Sequence, residues 1–169
     1  MTDLTTIRPA IRAATPADVP SVLDLVRALA VYEREPDAAV ATEEDFHRAL
    51  FPDSGDPHTF CHVAEVDGEV VGLAVWFLTF STWTGRNGIW LEDLFVQPEH
   101  RGAGLGKALI ASLARECMER GLPRLEWTVL DWNTPSIEFY RSIGAEPLAE
   151  WTTQRMTGEA LEQLAGWDR

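Results

Sequence analysis

A glycine-rich segment that joins an apolar strand to a helix is the feature that most constrains how this chain can fold. Residues 89–96 form the apolar stretch, and glycines at 102, 104 and 106 open a helix that we predict to run to Arg120. Glycine allows a sharp turn, and the first amides of a helix attract anions. The segment therefore predicts a strand, a turn and a helix whose turn can hold a pyrophosphate group.

Two familiar phosphate-binding motifs do not fit this segment. The Walker motif needs glycine where Arg101 stands and serine or threonine where Ala108 stands. The dinucleotide fingerprint needs its third glycine where Lys107 stands, and it belongs to the first strand and helix of its fold, whereas this segment follows four predicted strands. A glycine-rich helix start that binds no ligand remains an alternative at this stage.

Hydrophobic periodicity and turn signals predict the elements around this segment. Thr15 and Thr42 each precede an acid by three residues, as in helix capping boxes, and Asp67-Gly68 separates two strand-like stretches as in a hairpin. Strands are predicted at residues 10–14, 60–66, 69–80, 89–96, 125–130 and 151–156, and further helices at 133–143 and at the end of the chain. This order predicts one α/β (α+β) domain over residues 1–169, in which helices cover both faces of a mixed, mostly antiparallel sheet.

The charge of the chain is strongly negative. Its 169 residues include 27 Asp and Glu against 14 Lys and Arg, a formal net charge of -13. Nucleic acids and anionic membranes are therefore poor partners, since both need a basic surface, whereas a small cationic ligand is compatible. An excess of acids also keeps a protein soluble, and charge alone does not separate these two interpretations.

Cysteine and histidine usage argues against a disulfide and a metal site. Cys61 and Cys117 lie far apart, and the four histidines have no metal-binding spacing. No apolar run approaches the roughly 20 residues of a membrane span, and the first eight residues lack the apolar stretch of a secretion signal. We therefore expect a cytoplasmic protein.

The segment Arg101-Gly102-x-Gly104-x-Gly106 resembles the pattern that holds the pyrophosphate of coenzyme A in the GCN5-related N-acetyltransferase (GNAT) superfamily. Residues 91–96 (LEDLFV) and 131–140 (DWNTPSIEFY) are similar to the corresponding segments of its diamine (spermidine/spermine-type) and thialysine N-acetyltransferases. The resemblance extends over residues 11–151. It includes Tyr32-Glu33 and Trp83-Thr84-Gly85.

The resemblance implies an N-acetyltransferase that uses acetyl-CoA, acts on a primary amine of a small cationic substrate and forms a homodimer. It implies that acetyl-CoA is bound by Leu94, Phe95, Val96, Arg101, Gly102, Ala103, Gly104, Leu105, Gly106, Lys107, Asn133 and Ser136. It implies that the substrate is held by Tyr32, Glu33, Trp83, Glu92, Asp93 and Trp132. Glu92 and Tyr140 are the implied catalytic residues, and no metal takes part.

Glu92 and Asp93 interrupt an otherwise apolar strand, where acids are uncommon unless they are paired or functional. Regular alternation places Glu92 on one face with Trp90, Leu94 and Val96, and Asp93 on the other face. An alkylammonium, with a pKa of about 10, must lose a proton before it attacks, and partly apolar surroundings make a carboxylate more basic. We therefore expect Glu92 to take this proton, directly or through a water; a structural acid paired with a cation is the alternative.

Tyr140 lies late in the helix after Asn133. A phenol with a pKa of about 10 suits protonation of the departing thiolate of coenzyme A, and the resemblance places a tyrosine there for this role. The alternative is that Tyr140 is a structural residue that packs with Phe139. Asn133 is expected both to cap the helix and to contact the cofactor.

Other nucleophiles are disfavoured. Cys61 and His62 are adjacent on a strand, so they face opposite sides and cannot form a thiolate pair, and the chain has no GxSxG elbow. Direct attack of the amine on the thioester is therefore favoured over a covalent acetyl-enzyme.

One departure from the family's pattern bears on the substrate. Relatives that act on diamines commonly carry an acid just before the loop tryptophan, whereas this chain has Ser81-Thr82 before Trp83. The departure puts a long polyamine in doubt and leaves open a diamine, a lysine analogue or another aminoalkyl compound. Two other functions are alternatives: a non-catalytic module that binds acyl-CoA or a protein, and an acetyltransferase for protein lysines or N-termini.

Overall fold

The computed structural model describes residues 9–167, which contain five strands and five α-helices. The strands are β1 (Ala10–Ala13), β2 (Thr59–Val66), β3 (Glu69–Ser81), β4 (Arg86–Val96) and β5 (Leu125–Glu126). The helices are α1 (Val19–Tyr32), α2 (Glu43–Leu50), α3 (Leu105–Arg120), α4 (Thr134–Ser142) and α5 (Gly158–Ala165).

The strands form one sheet in the order in which they occur in the chain. Neighbours from β1 to β4 are antiparallel, and β5 is parallel to β4. Asp67 and Gly68 make the turn between β2 and β3 with φ of 55° and 84°, the left-handed values that a two-residue hairpin turn needs. The predicted hairpin and the predicted mixed, mostly antiparallel sheet are confirmed.

Helices cover both faces of this sheet, as predicted. On one face Val63 of β2 belongs to a buried cluster with Leu25 of α1 and Leu50 of α2. On the other face His62 is hydrogen-bonded to Ser112 of α3, with Nδ1 and Oγ 2.8 Å apart. β2 therefore separates an α1–α2 layer from an α3 layer.

Capping residues fix where the first two helices begin. The Asp45 carboxylate accepts hydrogen bonds from the Thr42 amide and hydroxyl, and that of Asp18 does the same for Thr15. Asp18 also accepts two bonds from the guanidinium of Arg12, at 2.7 and 2.9 Å, and this contact holds the pKa of Asp18 well below its usual range. The hydrogen bonds of Asp18 with Thr15 and Arg12 therefore connect β1 to the start of α1.

The described residues divide after Thr128 into two compact units. The sheet and α1 to α3 lie in the first unit, and α4 and α5 lie in the second unit, which begins at Val129. The single domain over residues 1–169 stays a prediction.

Three predicted boundaries change in the structure. The third helix begins at Leu105 rather than Gly102, because Gly102 and Gly104 have φ of 81° and 82°, outside the α-helical range. β5 contains two residues instead of the six predicted at 125–130. The strand predicted at 151–156 is wrong: all six residues are exposed and pair with no strand in the described part of the chain, so neither a hydrogen-bonding neighbour nor a buried face supports a strand there.

Candidate active site

A β-bulge in β4 determines where the two central carboxylates lie. Asp93 is opposite Val75 of β3, but the next pair is Leu91 with Trp76, so Glu92 is an extra residue without a partner on β3. A bulge of this kind breaks the alternation of side chains.

The bulge overturns the predicted distribution of side chains over the two faces. Asp93 lies on the face of Val75, which belongs to the α1–α2 cluster, whereas Leu94 lies opposite Ala74 on the α3 face. Trp90 lies opposite Phe77, on the face of Val75, and its indole donates a hydrogen bond to Glu92, so Glu92 lies with Trp90 and Asp93. The predicted face shared with Trp90 is therefore correct, whereas the face shared with Leu94 and Val96, away from Asp93, is wrong.

Three carboxylates influence one another in the first unit, and we call Glu33, Glu92 and Asp93 the acidic cluster. Asp93 is half-buried, and burial, together with the negative charges of Glu92 and Glu33, raises its pKa to about 6. Burial also raises the pKa of Glu33. Glu92 is exposed and accepts a hydrogen bond from Trp90, with Nε1 and Oε2 3.0 Å apart. The cluster concentrates negative charge around one carboxyl that can hold a proton near neutral pH.

Arg101 connects the glycine loop, residues 101–107, to the side of the site where Tyr32 lies. Its Nε donates to the carbonyl oxygen of Val96 at 2.9 Å. Its guanidinium carbon lies 5.0 Å from the ring centre of Tyr32 and 5.4 Å from that of Phe95, within the range of cation–π contacts. Since Tyr32 ends α1 and precedes Glu33, these contacts bring residues predicted to bind the substrate and the cofactor to one part of the first unit.

The glycine loop has the backbone shape that an anion site needs. The positive φ of Gly102 and Gly104 is strained for other residues, and a Cβ atom on either would meet no protein atom within 4 Å. The amides of Leu105, Gly106 and Lys107 begin α3, so they have no partner within the helix. Ala103 and Lys107 are exposed, whereas the Leu105 side chain is buried and leaves only its backbone available. The loop therefore fits a pyrophosphate group.

The second half of β4 has one edge without a strand. β5 pairs with β4 only at Ile89 and Trp90. Among the described residues no strand continues along this edge beside Leu94, Phe95 and Val96, which the resemblance assigns to acetyl-CoA. Backbone groups along such an edge can bind an extended chain that contains amides.

Four predicted site residues lie at the start of the second unit. Asn133 caps α4, where its Oδ1 accepts a hydrogen bond from the Ser136 amide at 3.4 Å. Tyr140 follows Ser136 by four residues, so both lie on one side of α4, and its ring centre is 5.3 Å from that of Phe139. Trp132, just before the cap, is 42% exposed. The cap predicted at Asn133 is confirmed.

Trp83 lies apart from the acidic cluster. It is 90% exposed in the turn between β3 and β4, just before β4 begins at Arg86. Asp93 is seven residues further along β4, or about 23 Å of extended strand. Within one chain the structure does not bring Trp83 to this cluster.

The structure supports the exclusion of a cysteine nucleophile. Cys61 belongs to the α1–α2 cluster and His62 faces α3, so the two side chains lie on opposite faces as predicted. Burial raises the pKa of Cys61 to about 12, so its thiol carries almost no thiolate near neutral pH. Within residues 9–167, no group of three or more His, Cys, Asp or Glu could hold a metal, and no helix is long and apolar enough to span a membrane.

Sequence reasoning missed the bulge and the contact between Arg101 and Tyr32. The bulge had a signal in the adjacent acids, because strict alternation would turn one of them toward each helical layer. The contact had no signal in the sequence, because it joins residues 69 positions apart.

The chain belongs to the Acetyltransferase (GNAT) family, whose sequence model matches residues 24–145. It is an N-acetyltransferase. It is 38% identical to a thialysine N-epsilon-acetyltransferase of Bos taurus over 92% of this chain and 96% of that protein, and 29% identical to an L-ornithine N5-acetyltransferase of Arabidopsis thaliana over 91% and 86%. An integron cassette protein of V. cholerae has a similar structure, with a TM-score of 0.78, 27% identity and coverage of 94% and 98%. The predicted family and α/β fold are confirmed.

Proposed function

We propose that this enzyme transfers the acetyl group of acetyl-CoA to the terminal primary amine of a short cationic substrate, such as a lysine-like or ornithine-like amino acid or a short diamine. The observation that carries the proposal is the acidic cluster, in which a bulge sets Asp93 beside Glu92 on the α1 side of the sheet. Such a cluster attracts a cation and contains a carboxyl able to take its proton. The relatives named for thialysine and ornithine point to the same kind of amine.

The glycine loop and the open edge of β4 are the proposed site for acetyl-CoA. The amides from Gly102 to Lys107 would bind its pyrophosphate, and backbone groups of residues 94–96 would bind the extended arm. Because the Nε of Arg101 already holds the Val96 carbonyl, its other guanidinium nitrogens are the groups left for the pyrophosphate. The resemblance also assigns Asn133 and Ser136, in the second unit, to acetyl-CoA binding.

The amine must lose a proton before it reacts. We propose that this proton passes to the pair Glu92 and Asp93 and resides on Asp93, the carboxyl whose pKa is raised to about 6, while the exposed Glu92 receives the ammonium. Acetyl-CoA supplies the acetyl group as a thioester, and the neutral amine attacks it directly. Tyr140 would give a proton to the sulfur as the carbon–sulfur bond breaks, and the second proton that the nitrogen loses as the amide forms would restore the phenol.

The position of Trp83 favours a short substrate. A compound held at the acidic cluster reaches Trp83 of the same chain only if it spans about 23 Å, and no acid stands at positions 81 or 82 to bind its far end. We therefore propose that long polyamines are poor substrates, and that Tyr32 and Glu33 hold the part of the substrate next to the amine.

We also propose a homodimer that uses the second unit. Among its described residues this unit exposes eight large apolar side chains: Leu130, Trp132, Leu148, Trp151, Met156, Leu161, Leu164 and Trp167. So many exposed large apolar side chains in a short segment are typical of protein interfaces. Light scattering at micromolar concentration should give twice the mass of the chain, and a monomer there would contradict the proposal.

An amine panel tests the proposed activity. Release of free thiol from acetyl-CoA would be measured with thialysine, ornithine, lysine, 1,3-diaminopropane, spermine and a lysine-containing peptide. We expect rates at least tenfold higher with the short amines than with spermine or the peptide. Asp93→Asn and Glu92→Gln should lower the rate, whereas Glu99→Gln, an exposed acid in the turn after β4, should not. Faster reaction with the peptide would indicate a protein acetyltransferase, and no thiol release with any amine would refute the proposal.

A further inference from the structure

An ion pair lies beside the acidic cluster, on the same face of the sheet. Glu126 of β5 is opposite Trp90 of β4, so both side chains lie on the face that carries Asp93. Arg124 Nε is 2.8 Å from Glu126 Oε2, and the two side chains are 36% and 29% exposed. Because both side chains are accessible to solvent, the ion pair can meet a ligand that is bound at the acidic cluster.

Gly88 determines where the side chain of Arg124 lies. A Cβ atom on Gly88 would be 2.6 Å from Cγ and 3.0 Å from Nε of Arg124, closer than non-bonded atoms allow. The arginine side chain therefore crosses β4 directly over the glycine, on the face of Trp90, which is two residues further along the strand. Glycine inside a strand often marks such a close approach. Arg124 is held in place before a ligand binds, which lowers the entropic cost of binding.

The ion pair leaves polar atoms on both residues for a ligand. Nε of Arg124 has no hydrogen-bond partner although Oε2 of Glu126 is 2.8 Å away, so its N–H does not point at the carboxylate. Within residues 9–167, neither the terminal nitrogens of Arg124 nor Oε1 of Glu126 makes a hydrogen bond. The terminal nitrogens of a guanidinium can bind a carboxylate, and a carboxylate oxygen can bind an ammonium group.

Trp90 is a neighbour of both the acidic cluster and the ion pair. Its Nε1 donates to Glu92 at 3.0 Å, and its ring packs beside that of Phe77, with ring centres 6.4 Å apart. Glu126 is the residue opposite Trp90 on the adjacent strand. The half-buried indole therefore offers an apolar surface next to two groups of charges.

The spacing of these charges matches a short amino acid. Glu92 is two residues from Trp90, about 7 Å along β4, and Glu126 is one strand away, about 5 Å across the sheet. The Cα atoms of the two acids are therefore about 8 Å apart. In a lysine-like amino acid five bonds separate the terminal amine from Cα, a span of about 6 Å when the chain is extended. Such a molecule can place one end at each group of charges.

We propose that Arg124 and Glu126 bind the amino-acid head group of the substrate, so that this enzyme prefers an α-amino acid to the corresponding diamine. Arg124 binds the α-carboxylate and Glu126 binds the α-ammonium, while the carbon chain lies against Trp90. A diamine has no carboxylate for Arg124 to bind. The proposal rests on the function proposed above, because that function places the terminal amine at the acidic cluster.

Three amines with the same aminoethylthio end test this preference. They are thialysine, bis(aminoethyl) sulfide, which lacks the carboxylate of thialysine, and aminoethylthiopropanoate, which lacks its α-amine. Release of free thiol from acetyl-CoA gives kcat/KM for each compound. We expect the value for thialysine to exceed each of the other two roughly tenfold or more, as loss of a charge-assisted contact predicts. Equal values for thialysine and bis(aminoethyl) sulfide would overturn the head-group site and leave the proposed acetyl transfer intact.

Two variants assign the two contacts. Arg124→Met keeps an unbranched side chain over Gly88 and removes the guanidinium, so kcat/KM should fall roughly tenfold or more for thialysine and aminoethylthiopropanoate but not for bis(aminoethyl) sulfide. Glu126→Gln should instead weaken the two compounds that carry a second amine. Arg115→Met, the same change at an exposed position of α3, should leave all three values unchanged. A folded Arg124→Met protein that keeps the parent preference would overturn the proposal, and if this variant does not fold, an unchanged preference in Glu126→Gln would do so.

A binding measurement separates this proposal from the proposed function. Calorimetry with CoA in place of acetyl-CoA gives the affinities of the three compounds without any reaction. We expect the parent chain to bind thialysine roughly tenfold or more tightly than bis(aminoethyl) sulfide. This difference without thiol release from any amine would support the head-group site and refute the transfer function. Equal affinities would overturn the head-group site, whether or not acetyl transfer occurs.

Discussion

Replacing Asp93 with asparagine should make the folded protein more stable at neutral pH while it lowers activity. Burial and the nearby charges of Glu92 and Glu33 raise the pKa of Asp93 from 3.8 to about 6, so the ionised carboxylate is less favourable in the folded chain than in the unfolded chain. At about 1.36 kcal/mol per pH unit, this difference corresponds to about 3 kcal/mol. Asparagine keeps the size of the side chain and removes the charge.

The sign of the pH dependence follows from the raised pKa. Below about pH 4 the carboxyl is protonated in both states, so Asp93 costs nothing there. As the pH rises from about 4 to 6 the unfolded chain loses its proton first, so stability falls, and the full cost is present above about pH 6. The gain from Asp93→Asn should therefore grow from near zero at pH 4 to as much as about 3 kcal/mol at pH 7.5.

Urea unfolding at pH 4, 5.5 and 7.5 measures this gain, with acetyl transfer assayed on the same samples. Glu99→Gln, at an exposed position, is the control and should change neither quantity. Glu92→Gln removes one charge that acts on Asp93, so it should give a smaller gain with the same pH dependence. A gain independent of pH, or a loss of stability above pH 6, would refute this account of Asp93. If Asp93→Asn is more stable than the parent chain and its rate is lower by roughly 100-fold or more, then Asp93 is an acid that serves function at the expense of stability.

Three further changes test other parts of the structure. Gly104→Val should weaken acetyl-CoA binding at least tenfold in calorimetry, because φ is 82° at this position and the new side chain would fill the open space of the glycine loop. Unchanged affinity in a folded variant would contradict the proposal that the glycine loop binds the pyrophosphate. Tyr140→Phe should lower kcat roughly 100-fold or more without weakening acetyl-CoA binding, and its rate should not recover at high pH. The rate of Glu92→Gln should recover as the pH rises and the amine deprotonates. Parent-like rates for Tyr140→Phe would rule out the acid role of Tyr140. Asp18→Asn should lower the free energy of unfolding by about 2 kcal/mol at pH 7, because Arg12 loses one of its two carboxylate partners and keeps only Glu65. The depressed pKa of Asp18 means that this loss shrinks as the pH falls below about 4, and a loss that is constant with pH would exclude the ion pair.

Elements with local signals were predictable from the sequence. The helix starts at Thr15 and Thr42 depend on an acid three residues away, and the hairpin at Asp67-Gly68 depends on two adjacent residues with positive φ. The family was identified from the glycine motif together with the resemblance of other segments, among them residues 91–96 and 131–140, to its members. Each of these features is decided within a few residues of chain.

Features that depend on distant partners were not predictable. A strand is predicted at residues 151–156, but a strand forms only where another strand can pair with it. The stacking of Arg101 on Tyr32 needs the end of α1 and the end of β4 to meet, which no local pattern encodes. The roles of the site residues remain predictions for the same reason, since they depend on how substrates lie among them.

The bulge at Glu92 links the stability of the sheet to its chemistry. If Glu92 paired regularly with Val75 instead of forming a bulge, every side chain of β4 after Glu92 would move to the opposite face. Asp93 would then lie with Leu91 in the layer under α3, where Leu91 is 2% exposed, and Phe95 would leave the α1–α2 cluster. Burial of a carboxylate among the apolar side chains of that layer would cost more than the roughly 3 kcal/mol worked out above, because the ionised group would lose its hydration. The extra residue therefore lets the strand keep Phe95 in the core and Asp93 beside Glu92 at the accessible end of α1, an arrangement that a regular strand cannot provide.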